Sequence, residues 1–373
     1  QSPVSSAYNL DGDGLPLIQG NNDMNNRLSA PRQWTSEITR TCEPNDILMS
    51  VRAPVGDIAL SIHKACIGRG VCAIRPYINY KFVYQFLISF EKSWDKYSQG
   101  STFTAVNSAD IKGLEFSIPF DANEQTAIAN ILSIFDEGIE QLKSKIDLLK
   151  QRKKSLMKNL MGGKQRLGGF SGEWRIKLIG DFAECTAGGT PSTTKAEYWD
   201  GDIPWMNSGE LNYKLVKEVN GRITDKGLQN SSTKILPKLC ILIGLAGQGK
   251  TRGTVAINLI ELCTNQSVAA IYPNEKFDSY FLYYNLDMRY EELRGLSTGE
   301  GGRGGLNLAI IRGIDVLLPP IDEQIAIAEI LNNADEEIAL NEDKLYSYEN
   351  QKKYMLNNLL TGNVRLPEFR KGE

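Results

Sequence analysis

The sequence is poor in the residues on which most enzymes and metalloproteins rely. It has one histidine, His63. That nearly excludes a histidine-based catalytic triad or a histidine-rich metal site, and His63 reads as an ordinary surface or strand residue. Six cysteines (Cys42, Cys66, Cys72, Cys185, Cys240 and Cys263) are scattered without a CxxC pair, so zinc binding is not expected. Most lie in apolar stretches and read as small core residues in a reducing cytosol. No apolar run reaches the roughly 18 residues that a membrane-spanning helix needs. Positive charge is not in excess: the formal net charge is −3. A nucleic-acid role must therefore rest on local basic patches. There is no Asp/Asn/Ser-Pro-Pro-aromatic motif of a methyltransferase, and "LPPI" is the nearest approach. No catalysis is expected of this chain alone. It begins with Gln1 rather than Met, which points to missing upstream residues, and nothing in it resembles a signal peptide.

What is present is a duplication. Glu124 to Phe170 aligns without a gap on Glu323 to Phe369 at a constant offset of 199, and 19 of the 47 positions are identical. Such a repeat governs the reading of everything else. It extends upstream more weakly. "ACIGRGVCAIRP" (Ala65 to Pro76) parallels "LCTNQSVAAIYP" (Leu262 to Pro273), and "IKGLEFSIP" (Ile111 to Pro119) parallels "IRGIDVLLP" (Ile311 to Pro319). "LPLIQGNN" (Leu15 to Asn22) parallels "IPWMNSGE" (Ile203 to Glu210) with far fewer residues ahead of it.

The repeated segments carry a heptad seam. Ile128, Leu132, Phe135, Ile139, Leu142, Ile146, Leu149, Lys153, Leu156 and Leu160 alternate at steps of four and three. Ile327, Leu331, Ala334, Ile338, Asn341, Leu345, Tyr348, Lys352, Met355 and Leu359 do the same. Pro119, Pro319 and Pro320 precede the helices, and Gly162 and Gly362 follow them, as start and stop signals. Each helix would be ~55 Å long at 1.5 Å per residue. The second should start near the end of the first and run back antiparallel, because domain termini tend to lie close together. Asn341, a polar residue on the seam, reads as a register-setting position.

These features resemble the specificity subunits of type I restriction-modification systems. The likeness rests on the variable–helix–variable–helix plan, on "GGTPSTTKAEYWDGDIPWMNSGEL" (Gly188 to Leu211), on "LAGQGKTRGTVAI" (Leu245 to Ile257) and on the two "EQ-x-AIA-x-IL" helix openings. It implies an α+β fold in which two target-recognition domains are separated by a pair of long antiparallel coiled-coil helices, as a pseudo-twofold repeat. The implied segments are a first recognition domain at 1–119, truncated at its N-terminus, a helical spacer at 120–168, a second recognition domain at 169–319 and a second spacer at 320–373. Each recognition domain would read one half of a split double-stranded DNA site. The helices would space the domains and dock modification (methyltransferase) subunits, two of them. Restriction motor-nuclease subunits would join to complete the complex, in the cytoplasm. S-adenosylmethionine and ATP would sit on those partners, with no cofactor in this chain. A coiled-coil adaptor that binds only proteins is the alternative.

One motif competes with that reading. Gly244 to Thr251, G-L-A-G-Q-G-K-T, matches the phosphate-binding loop of nucleotide hydrolases. A working phosphate loop opens a helix, whose N-terminus faces the phosphates. Here "RGTVAIN" follows, which is strand-forming. "ILMSVRAPVGDIALS" (Ile47 to Ser61) takes the equivalent place in the first half without the motif, so both stretches read as strand–loop–strand hairpins. The glycine-rich loops then become DNA-contact candidates, since Lys and Arg suit phosphates or guanine and Gln suits adenine. The full candidate set is Asn21, Arg27, Arg52, Arg69, Gln99, Ser101, Lys195, Asn207, Ser208, Gln248, Lys250, Arg252, Thr298 and Arg303. Lys153, Lys154, Lys352 and Lys353, a pair shared by both helices, read with Asn341 as partner-docking or spacer positions.

Overall fold

The computed structural model describes residues 2–94, 106–247, 251–296 and 305–370. It divides into two compact units, residues 1–144 with 342–373 and residues 145–341. The four-segment plan keeps the helices apart from the recognition regions. The structure instead gives each unit one recognition region and one part of each long helix. Helix pairing explains this: the start of each helix packs with the end of the other.

Four helices organise the units: α1 (Tyr80–Phe90), α2 (Ala122–Met161), α3 (Ser279–Asp287) and α4 (Ile321–Leu359). At α1 the Asn79 side chain accepts from the N–H groups of Lys81 and Phe82, and at α3 Asp278 accepts from Phe281. The heptad seam is the buried face of α2 and α4: Ile128, Leu132, Ile139, Leu142, Ile146 and Leu160 on the first, and Ile327, Leu331, Ile338 and Leu359 on the second. The first helix ends at Met161, immediately before the stop signal Gly162. Gly163, not Gly162, takes the left-handed conformation (φ +63°), as its equivalent Gly362 does (φ +73°). That backbone suits glycine because it has no Cβ to clash.

Each unit builds its recognition region on the same strands. In unit 1, Ile47–Ser50 pairs antiparallel with Ile58–Leu60 on one side and Val71–Ile74 on the other. In unit 2, Ile241–Gly244 pairs likewise with Val255–Asn258 and Val268–Ile271. The central strands Ile47–Ser50 and Ile241–Gly244 are buried at every position, and Ser50 is their one polar side chain, because both of their faces are covered. Ile241 and Ile243 pack in the cluster containing α3, and Leu242 packs in the opposite cluster with Met206 and Leu262. Ile47 and Met49 against Leu48 repeat that alternation in unit 1. Burial of each such side chain contributes about 1.5–3 kcal/mol. A second sheet begins with Leu15–Ile18 parallel to Ala65–Ile67 in unit 1, and with Trp199–Met206 parallel to Cys263–Thr264 in unit 2.

The repeated "EQ" explains how a recognition region is fixed to its helix. The Gln125 carboxamide oxygen accepts from the N–H of Asn79 (3.2 Å), at the cap of α1, and its nitrogen donates to Pro119 O (2.9 Å). Gln324 repeats both bonds with Asp278 (2.9 Å) and Pro319 (2.8 Å). Phe82 packs with Ile128, Leu132 and Leu359 in unit 1, and Phe281 packs in the cluster of Ile327, Leu331 and Leu160 in unit 2.

Antiparallel pairing is visible within each unit. In unit 1, Asp136 of α2 meets Lys352 of α4 (2.5 Å), and Glu124, near the start of α2, meets Arg365, just past the end of α4 (2.5 and 2.9 Å). In unit 2, Lys153 meets Asp335 (2.5 and 2.7 Å) and Arg166 meets Glu323 (2.5 and 3.0 Å). These are the same two pairs, exchanged between the helices at an offset of 199. Asn341 is buried, yet its amide donates to the carbonyl of Glu337 one turn back on its own helix (2.7 Å). The cross-helix ion pairs, rather than Asn341, link the two helices.

Candidate nucleic-acid interface

In both units the loops at one end of the strands converge. In unit 1, Gly68 N–H donates to Ile18 O (2.8 Å), Val51 N–H to Gly70 O (2.9 Å) and Val106 N–H to Val51 O (3.2 Å). In unit 2, Asn265 donates to Met206 (3.0 Å), Leu245 to Ser267 (2.8 Å) and Leu306 to Leu245 (2.8 Å). The same lattice of main-chain bonds thus gathers the strand ending at Ile18 or Met206, the central hairpin, the turn at Arg69 or Gln266 and the chain entering at 106 or 306.

This brings Asn21, Arg52 and Arg69 onto neighbouring loops. Arg52 and Arg69 are exposed, and neither side chain makes an ion pair or hydrogen bond among the described residues. In unit 2 the matching loops carry Ser208, Arg252 and Gln266. Arg252 is half-buried. Gln266, which accepts from the Thr190 hydroxyl, occupies the place of Arg69 and was missed. The signal was available, since "CIGRG" lies over "CTNQS" in the repeat. Gln99, Ser101, Gln248, Lys250, Thr298 and Arg303 lie outside the described residues.

Several candidates have structural work instead. Arg27 sits with Asn26 in a two-residue hairpin turn of positive φ. Its guanidinium forks onto Glu91, with Nη2 3.0 Å from Oε2, and donates to Ile58 O (3.2 Å). It ties the turn to the end of α1 and is not a free phosphate ligand. Asn207 caps the short helix Ser208–Tyr213: its oxygen accepts from Gly209 N–H (2.8 Å) and its nitrogen donates to Glu210 (2.9 Å). Lys195 is exposed and donates to the Tyr198 hydroxyl (3.0 Å), which pushes its pKa up. It follows Ser192–Thr194, all exposed. Much of the surrounding motif is scaffold. A Cβ on Gly188 would meet Thr264 O at 2.2 Å, and one on Gly189 would meet Ser232 Oγ at 2.3 Å.

The shared lysine pair also divides. Lys153 and Lys352 turn inward onto Asp335 and Asp136, which removes them as docking groups. The Lys153 ammonium also lies 4.9 Å from the ring of Tyr284, whose hydroxyl is 2.7 Å from Asp335. Burial first, and then that carboxylate, push the Tyr284 pKa up. Gln85 takes the equivalent place in unit 1, donating to Asp136 (2.7 Å). Lys154 and Lys353 stay exposed.

The phosphate-loop match is a hairpin. After Thr251 the chain turns back: Gly253 N–H donates to Gly244 O (2.9 Å) and Gly244 N–H to Thr254 O (3.0 Å). Val255–Asn258 then runs as a strand. No helix opens where the phosphates of a nucleotide would need one. Among the described residues, no group of His, Cys, Asp and Glu could hold a metal ion, and no helix is long and apolar enough to cross a membrane.

Known proteins share this arrangement. The model of the type I restriction modification DNA specificity domain matches twice, at residues 4–151 and 171–348. The chain belongs to this family. A type I restriction enzyme MjaIX specificity subunit of Methanocaldococcus jannaschii is 32% identical over 178 residues, which are 46% of this chain and 40% of that one. The matched stretch thus spans about two fifths of that relative's length. The solved S subunit of a type I restriction-modification system from M. genitalium has the same fold. It covers 96% of this chain and 92% of its own, with a TM-score of 0.64 at 19% identity. A chain from a solved type I R-M system, in work on complex assembly, covers 94% and 92% with a TM-score of 0.57 at 14% identity. These likenesses show that the duplicated α+β plan is that of the specificity-domain family.

Proposed function

We propose that the chain is the DNA sequence-specificity subunit of a type I restriction-modification complex. The observation that carries this is the double match of the specificity-domain family, one copy over the recognition region of each compact unit. Each unit reads one half of a bipartite double-stranded target with its converging loops. Arg52 and Arg69 in unit 1, and Ser208, Gln266 and the Lys195 loop in unit 2, are the described groups available for contact. The helices set the spacing and dock two methyltransferase subunits, with Lys154 and Lys353 among the exposed groups. Motor-nuclease subunits complete the assembly in the cytoplasm. The chain itself is not catalytic, and S-adenosylmethionine and ATP are bound by the partners. The site offers side chains that pair with phosphates and base edges.

Mapping methylated bases in DNA treated with the assembled complex tests this. Two short half-sites at a fixed separation are expected. Titration of random duplex, with and without the methyltransferase subunit, separates the reading from a protein-only adaptor. An adaptor would show no salt-dependent affinity in either titration.

A further inference from the structure

In each unit a hydroxyl residue just ahead of a proline reaches the turn between two strands, and it grips a different part of that turn. The turns themselves are built alike. In unit 1 Val71 N–H donates to Gly68 O (3.3 Å), and in unit 2 Val268 N–H donates to Asn265 O (3.2 Å). Arg69 and Gln266 therefore take the same place, second in the turn, and both are exposed. Ser2 and Thr190 precede Pro3 and Pro191 at the offset that pairs Leu15 with Ile203. The Ser2 hydroxyl accepts from the main-chain N–H of Arg69 (3.0 Å), a contact that leaves the guanidinium unoriented. The Thr190 hydroxyl instead donates to the side-chain oxygen of Gln266.

Thr190 is held against its turn by main-chain bonds on both sides. Gly188 N–H donates to Val268 O (3.0 Å) and Gly189 N–H to Thr264 O (2.8 Å), so two successive residues bracket Asn265–Ser267. So close an approach needs the absence of a side chain: a Cβ on Gly188 would lie 2.2 Å from Thr264 O and 2.4 Å from Asn265 O. The Trp205 indole donates to Gly189 O (3.0 Å) from the strand paired with Cys263–Thr264. Pro191 disfavours the helical region for Thr190. The turn is braced as well, since the Asn265 side-chain oxygen accepts from Ser267 N–H (3.1 Å). The Gln266 carboxamide is thus tied to a fixed donor, with its oxygen towards Thr190 and its NH2 group away from it.

We propose that Gln266 reads one adenine of the half-site facing unit 2 and that Thr190 is its positioning residue. The proposal rests on the chain being the DNA-specificity subunit, and adds the base and the residues that select it. A carboxamide presents a donor beside an acceptor. Adenine is the base whose major-groove edge offers the complement, its N6 amino group beside N7. The Oε1 lone pair that Thr190 leaves free accepts from N6, and Nε2 donates to N7. Guanine offers two acceptors on that edge and leaves Oε1 without a donor. An amide already ordered loses less freedom on binding. In unit 1 the unoriented, charged Arg69 suits a phosphate, a contact that fixes position and carries no sequence information.

The test is sequence selection. The full chain, assembled with methyltransferase subunits, recovers duplexes from a randomised pool, and the recovered DNA is sequenced. Gln266→Arg should convert one A·T pair of one half-site to G·C and leave the other half-site unchanged. Gln266→Ala should accept any base pair there and bind the original site about five- to 150-fold more weakly. Thr190→Val keeps the shape and removes the hydroxyl. It should lower the preference at that same pair about two- to tenfold, and Thr190→Ser should restore it. Gln266 is exposed, so its variants decide the matter even if Thr190→Val fails to fold. Unchanged base preferences in both Gln266 variants would overturn the proposal and leave the specificity reading standing, as would a changed pair that was not A·T in the wild-type target. Wild-type preference in Thr190→Val, or a loss in both half-sites, would overturn the positioning role. A wild-type complex that recovers no bipartite sequence would overturn the specificity reading itself, and this proposal with it.

Discussion

The ammonium of Lys352 lies 2.5 Å from the carboxylate of Asp136, and Lys153 and Asp335 make the same contact in the other unit. Both lysines sit on the heptad seam, where an apolar residue would be expected. Each unit therefore carries this Lys–Asp pair between its two helix segments at the equivalent position. A slip of either helix by one heptad would leave a half-buried aspartate facing an apolar residue and a lysine without its partner. Such a mismatch is costly when only one charge is buried, even though the pair itself adds little over an apolar replacement.

A double-mutant cycle should measure this. Asp136→Ala and Lys352→Ala should each destabilise the chain in urea, with a coupling of about 1–3 kcal/mol. Asp136→Leu with Lys352→Met should recover most of the loss. If the single variants add without coupling, the pair does not hold the helices together.

Arg69→Ala and Arg52→Ala should weaken DNA binding by the assembled complex, and each should lower the slope of log affinity against log salt by about 1. Arg27→Ala should leave that slope unchanged and lower stability by up to about 1 kcal/mol, because its guanidinium is paired with Glu91. The opposite pattern in a salt titration would reverse the assignment.

Burial pushes the Cys72 thiol from an ordinary 9.0 up to about 11, and the Cys240 thiol up to about 12. Their neutral form is favoured in the folded state. The associated stability is complete below pH 9, the unfolded value, and is lost as pH rises towards about 11 and 12. Iodoacetamide at pH 8 should therefore label these two positions only after denaturation, and melting temperature should fall between pH 9 and 11. Rapid native labelling at Cys240 would show that its burial is breached.

The helices should act as a ruler between half-sites. Because they pair antiparallel, one heptad must be added to each, after Ser144 and after Asn341, where the compact units divide. Paired insertion keeps the seam in phase and adds ~10 Å, about three base pairs at 3.4 Å each. Methylation mapping should return both half-sites unchanged with a longer spacer. Recovery of the original spacing alone would remove the helices as ruler.

The parts of this molecule set by local pattern were legible in the sequence. The heptad seam from Ile128 to Leu160 marks one face of α2 because helix periodicity depends only on near neighbours. The hairpin at Ile241–Asn258 was readable because "RGTVAIN" cannot open a helix, whatever surrounds Gly244. The repeat tied each element to a partner. Tertiary structure decided the roles of individual polar groups, which depend on what a distant segment brings near. Lys153 and Lys154 are adjacent and identical, yet only the first reaches a carboxylate, 182 residues away. Arg27 and Arg69 looked alike until Glu91 claimed one of them. Asn341 chose its own helix over its neighbour.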